Sequence, residues 1–145
     1  MTPIVRVVAP RLLPVALIVA IALIVKGYTD VGEGFGAGVI VGLAVGLRYV
    51  VLGPERADRS LPLVRRADAL AAVGLLTALV FGFAGVLFGD PPFTHYPRAG
   101  EPALHIGTLE LTTAIGFDIG LFMLVVGVVV LLIRELSRLV LDAET

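Results

Sequence analysis

Apolar and polar positions divide the chain into four hydrophobic runs separated by short stretches marked by charge, Pro or Gly. Residues 69–88 carry no charge and residues 111–133 carry only Asp118. Each run meets the roughly 20 residues needed to cross a hydrocarbon core about 30 Å thick. Two other runs are shorter: 12–25, bounded by Arg11 and Lys26, and 34–47, bounded by Glu33 and Arg48, each of 14 residues. They span a bilayer if Arg11, Lys26 and Arg48 snorkel to the interfaces, which extends them to about 10–28 and 35–52. A re-entrant pair is the alternative for runs this short. None of the runs alternates with period two, so strands are not expected. Pro10 and Pro14 suit the first turn or an early kink, and Gly53-Pro54 and Pro91-Pro92 mark loop entries. The N-terminal run is read as the first helix, since no small-x-small cleavage site follows it. The pattern predicts an all-α, polytopic membrane protein: one membrane domain over 1–145, with transmembrane helices at about 10–28, 35–52, 69–88 and 111–133.

Charge orients these helices. Arg6, Arg11, Arg48, Arg56, Arg59, Arg65, Arg66, Arg134 and Arg138 fall on one side, and only Lys26 and Arg98 on the other. Short loops with this bias predict both termini in the cytoplasm and the 26–34 and 89–110 loops outside. The same arginines suit contact with anionic lipid or a partner. Composition agrees with a lipid solvent: 58% hydrophobic, 16% charged, and a mean hydropathy of +1.02. This length leaves no room for a soluble catalytic domain, so no enzyme activity and no cofactor are expected. The absence of cysteine removes disulfides, thiolate metal sites, iron–sulfur clusters and thiol nucleophiles. A net charge of −1 gives no reason to expect nucleic acid.

Asp118 is the main chemical candidate. An acidic side chain near a bilayer centre costs from about 2.5 kcal/mol, so such residues face protein, water or an ion pathway. Its neighbours on an ideal helix, Ala114, Ile115, Leu121 and Phe122, offer no partner. Nothing in the chain is expected to pair with it except Lys26, if that residue lies deep. A carboxylate in this position is either a structural group bonded to another helix or one that a proton or sodium ion neutralises. Glu110 precedes it by eight residues, about 80° around an ideal helix and roughly 12 Å along it. It is either the mouth of a path to Asp118 or an ordinary interfacial carboxylate. Lys26, Asp30 and Glu33 bracket the first outer turn. His95 and His105 are too few and too far apart in sequence for a zinc site and read as solvated loop residues.

Gly34, Gly38, Gly42 and Gly46 recur every four residues along one side of the second helix. Such a stripe permits close backbone approach, which drives helix association in lipid. The contact is either internal, with the third or fourth helix, or a seam with a neighbouring protein of a complex. No Lys-Ser/Thr follows these glycines and no strand precedes them, which excludes phosphate-loop and dinucleotide motifs.

Lys26-Gly27-Tyr28 through Gly34-Phe35, the glycine-rich helix and the late segment Thr113-Ala114-Ile115-Gly116-Phe117-Asp118-Ile119-Gly120 resemble the MnhB/MrpB family, the B-type component of Mrp/Mnh-type multisubunit sodium/proton antiporters. The resemblance covers nearly the whole chain. Where the family usually reads Gly-His-Asn-x-Pro-Gly-Gly-Gly-Phe, Tyr28, Thr29, Val31 and Glu33 stand in place of His, Asn, Pro and the middle Gly. Gly27, Gly32, Gly34, Phe35, Phe117, Asp118 and Gly120 match. The resemblance implies a multi-pass component of a prokaryotic cell membrane complex. Its expected partners are large A- and D-type subunits, small C-, E-, F- and G-type subunits, lipid, sodium ion and proton. An ion path through Asp118, Glu110, Glu33 and Lys26 is then expected. The alternatives are a B-like component of the sodium-translocating module of a membrane-bound hydrogenase, a self-sufficient small proton-coupled transporter, and a purely structural scaffold.

Overall fold

A computed structural model describes residues 3–26, 32–62, 64–98, 102, 104–106 and 109–143. Among these residues, five α-helices carry the fold: α1 (Pro3–Lys26), α2 (Glu33–Leu52), α3 (Pro54–Ser60), α4 (Ala67–Gly82) and α5 (Thr113–Ala143). Three of the described segments are long and apolar enough to cross a membrane: Glu33–Leu52, Ala67–Phe88 and Thr113–Ser137. The boundaries differ from the sequence pattern in instructive ways. α1 begins at Pro3, so Pro10 and Pro14 lie in its interior, as membrane helices tolerate when neighbouring groups satisfy the freed carbonyls. The expected helical residues 27 and 28 lie outside the described residues. α2 begins at Glu33, where an acidic side chain in the first turn complements the positive end of the helix. The run 69–88 is not one helix: α4 ends at Gly82 and a 3-10 turn, Ala84–Phe88, completes the span. α5 continues to Ala143 instead of stopping near 133.

The loop expected to be irregular contains a small antiparallel hairpin, β1 (Leu104–Ile106) and β2 (Leu109–Leu111), with His105 opposite Glu110. Three-residue strands give too short a pattern for periodicity to detect.

The long helices form a row: α1 rests chiefly on α2, α2 on α5, and α5 on α4. In lipid there is no hydrophobic drive between helices, so small residues that admit close contact decide which faces meet. α5 uses two faces. One meets the glycine stripe of α2: a Cβ on Gly38 would lie 2.8 Å from Val125 Cβ, on Gly42 2.9 Å from Val129 Cγ1, and on Gly46 2.5 Å from Ile133 Cδ1. The order of these pairs, with Gly34 against Asp118, shows α2 and α5 running parallel. The stripe is therefore an internal contact with the last helix.

The other face of α5 meets α4 through a second set of small residues. A Cβ on Gly120 would lie 2.9 Å from the Gly74 carbonyl oxygen, and one on Gly127 2.6 Å from the Ala71 nitrogen. Ala67, Ala71, Gly74, Ala78 and Gly82 are the buried positions of α4. Their spacing of four, three, four and four residues is a helical stripe visible in the sequence. The core proper lies between α1, α2 and α5, around Ala20, Ala37, Val45, Tyr49 and Val130.

Candidate functional site around Asp118

Asp118 sits in the second turn of α5 and is 0% exposed. Gly34 makes that burial possible, because a Cβ there would stand 2.7 Å from the Asp118 carbonyl carbon and 2.8 Å from its Cα. The start of α2 is thus pressed onto the α5 backbone at the level of the carboxylate. Gly32, just before α2, has φ 110°, a left-handed conformation that L side chains rarely adopt. From there its backbone N–H donates to Asp118 Oδ1 at 3.0 Å.

Asp118 therefore has a partner in its own chain, contrary to the expectation from its helix neighbours. That partner is a backbone group, and no side-chain inventory reveals it. The first N–H groups of a helix lack intrahelical acceptors, and the dipole makes that end positive. α2 has no side-chain cap of its own at Gly32, and Asp118 supplies the acceptor from another helix. The other oxygen, Oδ2, is buried with no hydrogen-bond partner among the described residues.

The surroundings are mixed in polarity. Glu33, half-buried, is the first residue of α2, next to the Gly32 that bonds Asp118. Lys26 Nζ lies 3.6 Å from Glu33 Oε1. His95 stacks beside Phe117 with ring centroids 5.8 Å apart, and Phe93 meets the same ring edge-on at 5.9 Å. The Phe93 backbone, at φ 63°, is held by its N–H donating to the Gly82 carbonyl at 2.6 Å. Thr113 ties this loop to the start of α5. Its N–H donates to the Tyr96 carbonyl, the Tyr96 N–H donates to its Oγ1, both at 2.8 Å, and Oγ1 is 3.4 Å from His95 Nδ1. The 91–98 loop thus covers the N-terminal end of α5 next to Asp118. Distance in sequence hides this cluster, although an aromatic and histidine group between Phe93 and Tyr96 was a legible signal.

Of the other residues expected in an ion path, Glu110 lies in β2 and its side chain is outside the described residues. Of the family-motif residues, Gly27 is outside them too, as are the departures Tyr28, Thr29 and Val31. Phe35 is 56% exposed. Gly120 faces α4 across the second small-residue seam. Beyond the loop, Asp90 accepts from Tyr96 Oη and pairs with Arg98, and these two partners hold its carboxyl below the usual aspartate range.

Residues 4–131 match the family described as a domain related to the MnhB subunit of Na+/H+ antiporter. A relative from Alkalihalophilus pseudofirmus, whose name makes it the B-type component of a Na(+)/H(+) antiporter, is 31% identical over 124 residues, covering 86% of this chain and 84% of its own length. One of the same name from Bacillus subtilis is 29% identical over 125 residues, with 86% and 85% covered. A Rhizobium meliloti protein named as a probable A/B-type component of a K(+)/H(+) antiporter is 33% identical over 128 residues, which are 86% of this chain and 12% of that longer protein. With a family match over residues 4–131, a range that includes Gly32, Gly34 and Asp118, the chain belongs to the MnhB-related family of antiporter subunits.

Proposed function

We infer that this chain is a small membrane component of a multisubunit sodium/proton antiporter, part of a transporter and not an enzyme. It forms a single membrane domain that crosses the prokaryotic cell membrane four times, α1 included, with both termini in the cytoplasm. The nine-against-two asymmetry of basic residues supports that orientation. Other antiporter subunits, large and small, cover its outer faces. α1 and α4 flank the row and leave Val15, Ile18 and Ile21 on α1 and Leu76 and Val80 on α4 exposed.

The observation that carries an ion-handling role is Asp118 itself: a fully buried carboxylate inside an apolar span, with Oδ1 engaged by the Gly32 N–H and Oδ2 unengaged among the described residues. A group in this state binds a proton or contributes one oxygen to a cation. A hard cation takes several oxygen ligands, so one carboxylate oxygen is a part of a site, to be completed by a neighbouring protein of the complex. Glu33 and Lys26, paired at the outer end of α1 and α2, and Glu110 in β2 stand at the approach. A second reading is favoured by the Gly32 bond: Asp118 as a structural latch that caps α2.

One substitution separates the two. Asp118→Asn keeps an oxygen acceptor for Gly32 and the size of the side chain, but loses the titratable proton and the full charge. Exchange is measured in everted vesicles across a pH series, with sodium and with potassium, normalised to assembled complex. Most of the exchange should be lost with assembly intact, and Asp118→Glu should retain part of it. Wild-type exchange by the Asn variant at every pH leaves only the latch.

A further inference from the structure

At the end of α5 opposite Asp118, a polar cleft of about 370 Å3 is lined by Glu55, Asp58 and Arg59 of α3, Arg65 of the turn before α4, and Arg134 of α5. Three guanidinium groups face two carboxylates, and one of these, Asp58, is also engaged from outside the cleft. Asp58 accepts from the buried Tyr49 hydroxyl at 2.5 Å, and its second oxygen is 3.9 Å from Arg134 Nε. Glu55 pairs with Arg59 at 3.9 Å, but both side chains are more than 80% exposed, and pairs of that kind contribute little. Arg134 Nη1 donates to the Arg65 carbonyl at 3.3 Å, which holds the Arg134 side chain across the cleft. Its Nε is buried without a hydrogen bond, and the Arg65 guanidinium has no ion-pair partner among the described residues.

The position of the cleft matters as much as its charge. The apolar span of α5 ends at Ser137 and that of α4 begins at Ala67. Arg134 and Arg65 therefore stand where the hydrocarbon gives way to headgroups. A basic pocket between helix ends at that level is suited to a lipid phosphate. The planar fork of arginine matches phosphate oxygens two at a time. The volume lies within the range of small-ligand sites, roughly 300–1,000 Å3.

We propose that this cleft binds the phosphate of an anionic phospholipid headgroup, with Arg65 and Arg134 as its principal donors and Arg59 at its rim. A soluble phosphate offers the same chemistry, but the membrane presents the lipid phosphate at this level at high local concentration. The cysteine-free chain permits a single probe. Ser60→Cys, exposed at the end of α3, is labelled with a fluorophore in a complex whose other subunits lack reactive cysteine, and the complex is placed in nanodiscs.

Phosphatidylglycerol carrying a nitroxide near its headgroup should half-quench the probe at about tenfold lower mole fraction than the matching phosphatidylcholine, since each basic side chain adds steadily to the attraction. Arg59→Gln with Arg65→Gln should remove the preference with the complex still assembled, as both side chains are exposed. Should that pair fail to assemble, Arg65→Gln by itself is read in its place. Equal quenching by the two lipids, or a preference that survives these variants, overturns the proposal. So does a preference that millimolar inorganic phosphate abolishes, which makes the occupant a soluble ion. A preference seen only after neighbouring subunits are stripped away assigns the cleft to an acidic segment of one of them, and also overturns it.

Discussion

Gly34→Ala and Gly36→Ala are the same chemical change two residues apart on α2, and they should have opposite effects. At Gly36 an added Cβ meets nothing within 4 Å, so the substitution gains helix propensity of up to about 1 kcal/mol. At Gly34 the same atom would lie 2.8 Å from Asp118 Cα and 2.7 Å from its carbonyl carbon. Backbone cannot rotate aside as a side chain does. Restoring a carbon contact of about 3.5 Å requires α2 and α5 to part by at least about 0.8 Å at this level, and the Asp118 carbonyl oxygen lies closer still. That movement stretches the 3.0 Å bond from Gly32 to Asp118 Oδ1 beyond useful hydrogen-bonding distance. Overpacking costs roughly 1–3 kcal/mol, and a hydrogen bond to a charged group contributes roughly 1.5–3 kcal/mol. Since the two losses share one displacement, a net destabilisation of about 3 kcal/mol is expected. The assay is the thermal midpoint of a fluorescent fusion of this chain within the detergent-solubilised complex, followed by size-exclusion chromatography. Gly36→Ala should match or exceed the parent, and Gly34→Ala should fall well below it. Equal midpoints for the two variants would refute the close approach of α2 to Asp118.

Gly127→Leu should abolish assembly, because its Cβ position is 2.6 Å from the Ala71 nitrogen and 2.8 Å from the Ala67 carbonyl oxygen; an intact complex in a pull-down would show that α4 does not pack there. Tyr49→Phe removes the hydroxyl that bonds Asp58 and should lower stability by about 1.5 kcal/mol, read as the same thermal midpoint. Asp90 titrates below the usual aspartate range through the Tyr96 hydroxyl and then Arg98. Its contribution is therefore fully present above the unfolded value of about 3.9 and is lost as pH falls through the lower folded value. Protection of the Arg98 region from an acid-tolerant protease should accordingly persist at neutral pH and fade only in strong acid, and Tyr96→Phe should move the loss of protection to higher pH.

The spans of α4 and α5 were legible in the sequence because a run of apolar residues about as long as a bilayer is thick has one favourable solvent, whatever its neighbours are, whereas the 14-residue run of α2 reached that length only by letting Arg48 snorkel to the interface. The isolation of Asp118 was legible for the same reason: a single charge in such a run is visible without knowing the fold. The four-residue glycine spacing showed that one side of α2 needed a close partner, and the similar spacing from Ala67 to Gly82 held the same information for α4. Which helix fills each seam was decided only in three dimensions. Two stripes of small residues fit any backbone that reaches them, and α5 receives both because Asp118, Val125 and Val129 face one way and Gly120 and Gly127 the other. The capping of α2 by Asp118 was likewise outside the reach of sequence reasoning, since its donor is a main-chain N–H. That donor is aimed by a left-handed glycine 86 residues away, and backbone groups are the same at every position until the fold turns one of them toward a charge.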